Sequence, residues 1–366
     1  MNKSICFITG ALGNAGGQER ALTNLTNEFA KKGHQITIIC LFKSEIFFEI
    51  HPAINVIMPK YGRDPNYDPI KTNKSNRYSN KYIHALKLIP YIRKNIIRTN
   101  PDTVISFGDW YNSYVILATR FLRKPVFITN RMGPNINYGV LMEFFNKLFY
   151  RLATAMIVQT KRAKAIMQNK YKINDIRIVP NGIKKMDIVN RKHEKIIITV
   201  GRLHKEKGHA VLIEAFSKLK NKDWTLDIVG HGPERVALEK QVLNLRIKDR
   251  VCFHGHKKDF KDLLAAASIF VLPSFYEGFP NALIEAMSVP LTCVSSDCVA
   301  GPREIINHGE NGFLFETGNV DSLTLILDEL MNDPSKLSLY EKNAFNIIDN
   351  YNFENVACQF LNEILK

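Results

Sequence analysis

Short apolar runs alternate along this chain with longer stretches in which apolar residues recur every three to four positions. Residues 5–9, 35–42, 103–107, 126–129, 156–159 and 176–179 read as buried strands. Helical patterns fall at 18–32, 82–99, 110–121 and 141–152, and Gly33 closes the first of them. Residues 45–81 turn polar and carry Pro52, Pro59, Pro65 and Pro69, which predicts an irregular, mobile segment. After a turn at 180–183 and a charged linker, the pattern restarts. Strands at 196–200, 225–229, 250–253, 270–272, 292–294 and 312–315 alternate with helices at 210–219, 234–245 and 260–267 and others starting near 281 and 302. Helical residues 321–331 and 335–366 close the chain, with a kink at Asn352 and Phe353. Two successive runs of βα units predict an α/β protein with two doubly wound parallel sheets facing across a cleft. The expected domains are 1–185, 186–340, and a terminal helix, 341–366, packing back on the first.

Composition narrows the class. The 366 residues are 45% hydrophobic, enough for two cores, and the 23% of charged residues are well mixed with apolar ones, which excludes extensive disorder. The first apolar run is too short for a signal peptide, and the longest, 263–273, falls well short of the roughly twenty residues a bilayer-crossing helix needs. A cytoplasmic protein is expected. Six cysteines, Cys6, Cys40, Cys252, Cys293, Cys298 and Cys358, lie mostly inside apolar runs without zinc spacing, so reduced and buried thiols are expected. The net charge of +15 is uneven: residues 1–185 hold 29 Lys/Arg against 10 Asp/Glu, and residues 186–366 hold 21 against 25. The basic excess of the first half points to an anionic contact there, with anionic lipid, a phosphorylated acceptor and nucleic acid as candidates.

Candidate chemistry collects around residues 270–290. A strand ends at Pro273, the loop SFYEGFPN follows, and a helix starts near Asn281, which is placed to cap it. Glu277 lies in the loop and Glu285 one turn into the helix, so backbone amides, a helix N-terminus and two carboxylates converge at a strand's carboxyl end. That set suits an anion held by amides and hydroxyls held by carboxylates, as in a phosphorylated sugar. The bland alternative is two surface glutamates favoured by the helix dipole. A second segment, Gly201-Arg202-Leu-His-Lys205-Glu-Lys207-Gly208, also follows a strand, and its Arg202 and Lys207 are placed to reach a diphosphate. Gly230 and His254 lie in glycine–histidine turns after two further strands, where backbone could approach a nucleotide base. No DxD occurs in the chain, and no metal is assigned.

The first glycine-rich loop, from Thr9 to Gly17, matches the turn of dinucleotide-binding reductases. Two checks disfavour that reading. The second strand ends without an acidic residue for a ribose, and the one early Tyr-x3-Lys, Tyr67 to Lys71, lies among prolines. The other reading is that Gly16, Gly17 and Glu19 form a loop into a helix N-terminus that faces the cleft.

Taken together, the G-R-L-x-x-x-K-G segment, Glu277-Gly278-Phe279-Pro280-Asn281 with Glu285, and the Gly16-Gly17-x-Glu19 loop resemble glycosyltransferase family 4, whose members are retaining enzymes of the GT-B fold. The resemblance covers nearly the whole chain and implies two Rossmann-like domains, acceptor-binding first and nucleotide-sugar-binding second. It implies a hexose or N-acetylhexosamine moved from a nucleotide diphosphate sugar, with UDP expected, to a glycan acceptor on a lipid diphosphate. Assembly of bacterial surface polysaccharide or glycoconjugate is the implied setting, on the inner face of the membrane. Arg202 and Lys207 would neutralise the diphosphate in place of a divalent cation. Glu277 would contact the transferred sugar, Glu285 the ribose, and Gly17 with the amides from Gly278 to Asn281 the phosphate and sugar. Asp109 and Arg131 fall on the acceptor side with Gly16 and Glu19, and Arg131 stands where many members carry a histidine. No cofactor is implied, since the nucleotide sugar is a substrate, and no nucleic acid is expected. A sugar-nucleotide epimerase on the same fold and a non-catalytic carbohydrate- or RNA-binding protein are the alternatives.

Overall fold

The computed structural model describes residues 2–13, 16–60, 77–184, 194–257, 259–289 and 291–365. The chain divides into two compact units, Met1–Gly182 with Glu354–Lys366, and Ile183–Phe353. The first holds a seven-stranded parallel sheet of β1 (Ser4–Thr9), β2 (Gln35–Cys40), β3 (Asn55–Ile57), β4 (Thr103–Ser106), β5 (Val126–Thr129), β6 (Ala155–Val158) and β7 (Ile176–Ile178). Their order is β3-β2-β1-β4-β5-β6-β7, so the winding direction reverses between β1 and β4. Helices α1 (Gly17–Lys31), α2 (Arg77–Thr99), α3 (Asn112–Thr119), α4 (Val140–Phe149) and α5 (Lys161–Tyr171) belong to this unit. Both faces of the central strands are covered, which is why they are almost wholly apolar rather than alternating.

The second unit repeats the plan with six parallel strands: β8 (Ile196–Val200), β9 (Thr225–Val229), β10 (Val251–Gly255), β11 (Ile269–Leu272), β12 (Thr292–Ser296) and β13 (Phe313–Phe315). The order β10-β9-β8-β11-β12-β13 places its reversal between β8 and β11. One face buries Ile197, Leu226, Phe216 and Leu327 together, and the other buries Ile198, Phe270, Leu283 and Leu264. Helices α6 (His209–Lys218), α7 (Arg235–Asn244), α8 (Lys261–Ala266), α9 (Asn281–Met287), α10 (Pro302–Ile305), α11 (Val320–Asn332) and α12 (Pro334–Phe345) complete it. The last helix, α13 (Phe353–Leu365), packs in the first unit, with Phe360 against Phe29 and the Gln359 side-chain amide donating to the Ile178 carbonyl at 3.0 Å.

The structure departs from the sequence reading at particular points. Residues 45–60 are not irregular throughout: β3 lies there, paired with β2, and the Asn27 side chain ties down Glu49 and His51. The rest of that polar segment, 61–76, with the Tyr67 and Lys71 pair, lies outside the described residues, as do 185–193 in the linker. Helix α5 was unexpected because KRAKAIMQNKY is mostly polar; its start is set by Thr160, whose hydroxyl accepts from the Ala163 amide at 3.0 Å. The helix expected at 110–121 opens instead as a 3-10 turn, Asp109–Tyr111. Asn281 is the first helical residue of α9, and Pro280 occupies the cap position, with no side-chain cap bond. Helix α12 stays with the second unit, where the Thr292 hydroxyl bonds the Leu337 carbonyl and Asn343 bonds Glu310, so the chain returns to the first unit at 354 rather than 341. Cys252 and Cys358 are exposed, contrary to the expectation of buried thiols.

Candidate functional site

In the second unit the two strands flanking the reversal, β8 and β11, pair through Ile197 and Ile269, and the loops leaving them run side by side. Three contacts join these loops. The Phe275 amide donates to the Glu206 carbonyl at 2.9 Å, and Lys207 Nζ donates to Glu277 Oε1 at 2.7 Å. Gly208 has φ +65°, and a Cβ there would collide with the Pro273 carbonyl, so only glycine permits this approach. Ser274 Oγ also donates to Glu277 Oε1, at 2.6 Å, while Ser296 Oγ donates to the Ser274 carbonyl at 2.5 Å. Glu277 is therefore 9% exposed yet held by two donors from fixed positions.

The loop's backbone supplies the opposite polarity. The amides of Gly278 and Phe279 make no hydrogen bond among the described residues, whereas the Asn281 amide is taken by the Phe279 carbonyl at 2.9 Å. Asn281 is thus not one of the amides open to an anion, as the sequence had suggested. The Phe279 ring is buried and packs 5.9 Å from Tyr351. Glu285 is buried in α9, one turn beyond Asn281. Arg202 does not join this group: its guanidinium is exposed and lies 3.3 Å from Glu206 of its own loop. Gly230 has φ +151°, and a Cβ would strike the Gly201 carbonyl, while its amide donates to Gly255 at 2.9 Å. Its glycine thus has a packing reason, and its amide is spent inside the sheet. The His254 ring lies on β10 with Nε2 3.0 Å from Asp227 Oδ2.

In the first unit the corresponding reversal lies beside the start of α1. Gly16 occupies its N-cap, Gly17 is its first residue, and the Glu19 carboxylate folds back over Gly16. Gln18 ties this helix end to the Phe107 carbonyl at 2.9 Å. Two residues on, Asp109 is buried, and its carboxylate accepts from the Arg131 amide at 2.9 Å, the Met132 amide at 3.2 Å, the Tyr138 hydroxyl at 3.3 Å and the Asn130 side chain. Burial raises the Asp109 pKa against the pull of these donors. The Arg131 guanidinium stacks 4.4 Å over Phe107 and 5.6 Å from Phe360, donates to Asn181 Oδ1 at 2.8 Å, and leaves a buried Nε without a partner. Burial brings its pKa down to about 10, which leaves it charged at neutral pH. Asp109 and Arg131 thus lie together, and both are engaged inside the unit.

Sequence reasoning passed over several of these residues. Ser274 and Ser296 carried no motif, and Asn130, Tyr138 and Asn181 are distant in the chain from what they hold. His209, the first residue of α6, did carry a signal, since it directly follows Lys207 and Gly208. It is 3% exposed, with both ring nitrogens unpartnered, and burial with Lys207 beside it lowers its pKa to about 4.

A family model for Glycosyltransferase Family 4 matches residues 15–185, and one for Glycosyl transferases group 1 matches residues 183–347. The chain is 27% identical over 336 residues, 90% of it and 89% of the relative, to the GalNAc-α-(1→4)-GalNAc-α-(1→3)-diNAcBac-PP-undecaprenol α-1,4-N-acetyl-D-galactosaminyltransferase of Campylobacter jejuni. It is 25% identical over 343 residues, 91% and 90% of the two chains, to the lipopolysaccharide 1,6-galactosyltransferase of Salmonella typhimurium. Among solved structures, HepE of Anabaena in complex with UDP and glucose superposes with a TM-score of 0.76 at 17% identity, covering 100% of this chain and 99% of that one.

His209 is neutral in the folded protein down to about pH 4 but takes up a proton near 6.5 when unfolded. Between those values the unfolded chain binds the extra proton, so stability is full above 6.5 and falls as pH drops, by up to about 3 kcal/mol. His209→Leu should flatten that part of the curve, as read from urea midpoints between about pH 4.5 and 7.5; an unchanged slope rules the assignment out. Gly208→Ala should destabilise by at least about 1–2 kcal/mol, because alanine is strained at positive φ and meets the Pro273 carbonyl. A melting temperature matching that of the parent protein would contradict this.

Proposed function

Since the chain belongs to glycosyltransferase family 4, retaining enzymes of the GT-B fold that use nucleotide sugars, we propose that it moves a hexose or N-acetylhexosamine from a UDP-sugar to a glycan carried on a lipid diphosphate. Membership sets aside the epimerase and non-catalytic alternatives. One observation carries the proposal: a cation, two unbonded amides and a buried carboxylate meet at the sheet reversal of the second unit, in Lys207, Gly278, Phe279 and Glu277. The Anabaena structure contains UDP, and the Campylobacter relative's name carries a PP-undecaprenol acceptor, which supports the choice of donor and acceptor classes.

The reaction proceeds on one face of the sugar. The acceptor hydroxyl oxygen bonds to the anomeric carbon as the bond to the diphosphate oxygen breaks, and the hydroxyl proton passes to that departing diphosphate. The protein stabilises the negative charge gathering on the leaving group. Lys207 and the Gly278 and Phe279 amides meet that charge, and Glu277 fixes the sugar hydroxyls. Arg202 reaches the diphosphate by leaving the weak, exposed contact with Glu206. Glu285 holds the ribose. The ion pair gives Lys207 a second task, since a lysine already facing a carboxylate is oriented before the donor arrives.

The acceptor side is proposed to rest on a membrane surface. On α4, Val140, Leu141, Phe144 and Leu148 are all exposed, Val140 at 92%, and Lys147 and Arg151 are exposed beside them. Exposed Phe121 follows α3, which packs on α4 through the Ser113 bond to Asn146. An apolar stripe with cations at its flank suits an anionic leaflet. The many lysines and arginines of residues 1–185 act in the same direction, at about 1 kcal/mol each where they come near the surface. Among the described residues no helix is long and apolar enough to cross the bilayer, so the attachment proposed is peripheral.

Incubating the protein with a panel of nucleotide sugars and a short-chain lipid diphosphate glycan tests the central proposal; transfer with retained configuration is expected, and no transfer from any UDP-sugar overturns the donor assignment. Lys207→Ala should lower kcat by about a hundred- to thousandfold, and parental turnover in a folded variant would exclude its role. The pair Phe144→Glu and Leu148→Glu should abolish sedimentation with anionic vesicles at low salt while leaving transfer to a water-soluble acceptor intact. Undiminished sedimentation would remove α4 from the membrane contact.

A further inference from the structure

At the free edge of the second sheet, three metal-ligating side chains share one face. In the parallel pairing of β9 and β10, Cys252 stands opposite Asp227, and the register shifts between Phe253 and Gly255, at His254, whose Nε2 lies 3.0 Å from Asp227 Oδ2. The thiol sulfur, one carboxylate oxygen and one imidazole nitrogen all lie within 4.8 Å of one another. Phe253, between the two ligands, turns to the other face, where the Arg235 guanidinium lies 5.6 Å over its ring. None of the three side chains takes part in the donor site described above.

Their electrostatics are unfinished. Asp227 is 8% exposed, and its strand continues to Val229 in an apolar cluster with Leu264 and Ile198. A carboxylate in such surroundings needs a counter-charge. Among the described residues, His254 alone lies within ion-pair distance of it. Yet at 3.0 Å its Nε2 is buried and has no hydrogen-bond partner, so the two groups approach without the geometry of a bond. Two atoms held close but not bonded to each other are what a shared third atom would require.

We propose that Asp227, Cys252 and His254 form a site for a borderline-soft divalent cation of the zinc type, which clips the edge strand β10 to β9. A thiolate and a carboxylate together supply two negative charges, matching a divalent ion, and the set of one sulfur, one nitrogen and one oxygen suits zinc better than the all-oxygen ions. Ideal tetrahedral distances put ligand atoms about 3.3–3.6 Å apart, so the cluster closes on an ion by side-chain rotation. Coordination sends the Cys252 thiol proton to solvent, and water fills the fourth position. The ion would fasten a strand that otherwise presents an open edge. Sugar transfer is not routed through it.

The test uses full-length protein stripped with a chelator and titrated with Co2+. One equivalent should bind with a thiolate-to-cobalt charge-transfer band, which Zn2+ then displaces. Cys252→Ser should lose the band and Cys358→Ser keep it, while Asp227→Asn and His254→Gln should each weaken binding at least about a hundredfold. Zinc should raise the melting temperature of the parent protein and leave that of Cys252→Ser unchanged. A band absent from the parent protein, or one that survives in Cys252→Ser, overturns the proposal. The titration of the parent protein decides the matter even where a variant folds poorly. An imidazolium–carboxylate pair alone would give the first of these negative outcomes.

Discussion

Two loops from neighbouring strands of the second sheet are held face to face by one ion pair, one backbone hydrogen bond and one glycine, and the transfer chemistry proposed here presupposes that hold. Lys207 and Glu277 are seventy residues apart, and neither loop alone could orient its charge. The side chains are partly buried, so the attraction is less screened than at a surface, and Ser274 fills a second acceptor position on the carboxylate. Removing either partner would leave the other charge partly buried and uncompensated, which costs far more than the intact pair yields. In the proposed reaction the donor's diphosphate meets a cation that is already positioned, competes with the carboxylate for it, and leaves that carboxylate to accept from sugar hydroxyls.

This arrangement shows what sequence alone could carry. The strand–loop–helix rhythm was legible because parallel strands are near-continuous apolar runs, and the two site loops because each is a compact motif at a strand's end. Residues 201–208 and 273–281 could each be read separately; that they touch followed only from the fold-level rule placing ligands at a sheet reversal. What escaped was of a different kind. Helix α5 hides its apolar face, Ala163, Met167 and Tyr171, among six polar positions, and three-residue β3 is too short for any period to register. The backbone commitment of the Asn281 amide was invisible, since a free and a bonded N–H have the same letter. Arg131 was legible as unusual, but its stacking partner Phe360 lies at the far end of the chain.

Charge follows the same division. The first unit carries the basic excess and an exposed apolar helix, and the second carries the partly buried ion pair and a slight acidic balance. Exposed lysines and arginines act collectively and at a distance that salt sets, about 8–10 Å under ordinary conditions. The Lys207–Glu277 pair acts at one point and is screened much less. In the proposed function the first unit approaches an anionic surface and the second performs chemistry on an anionic leaving group, two electrostatic tasks that respond differently to ionic strength.

The same economy explains why the first unit keeps charges in its interior. Asp109 is desolvated, which disfavours its anionic form, yet four donors from residues 130–138 converge on it. A loop whose amides and side chains all point at one carboxylate has few other conformations open to it. Arg131, held at its amide by Asp109 and at its guanidinium by Asn181 and two aromatic faces, therefore presents its unpartnered Nε from a fixed place. An arginine whose pKa is brought only to about 10 remains a cation at neutral pH. The part proposed for it toward an acceptor is therefore positioning and charge rather than proton transfer, in keeping with the proposed reaction, in which the departing diphosphate takes the proton itself.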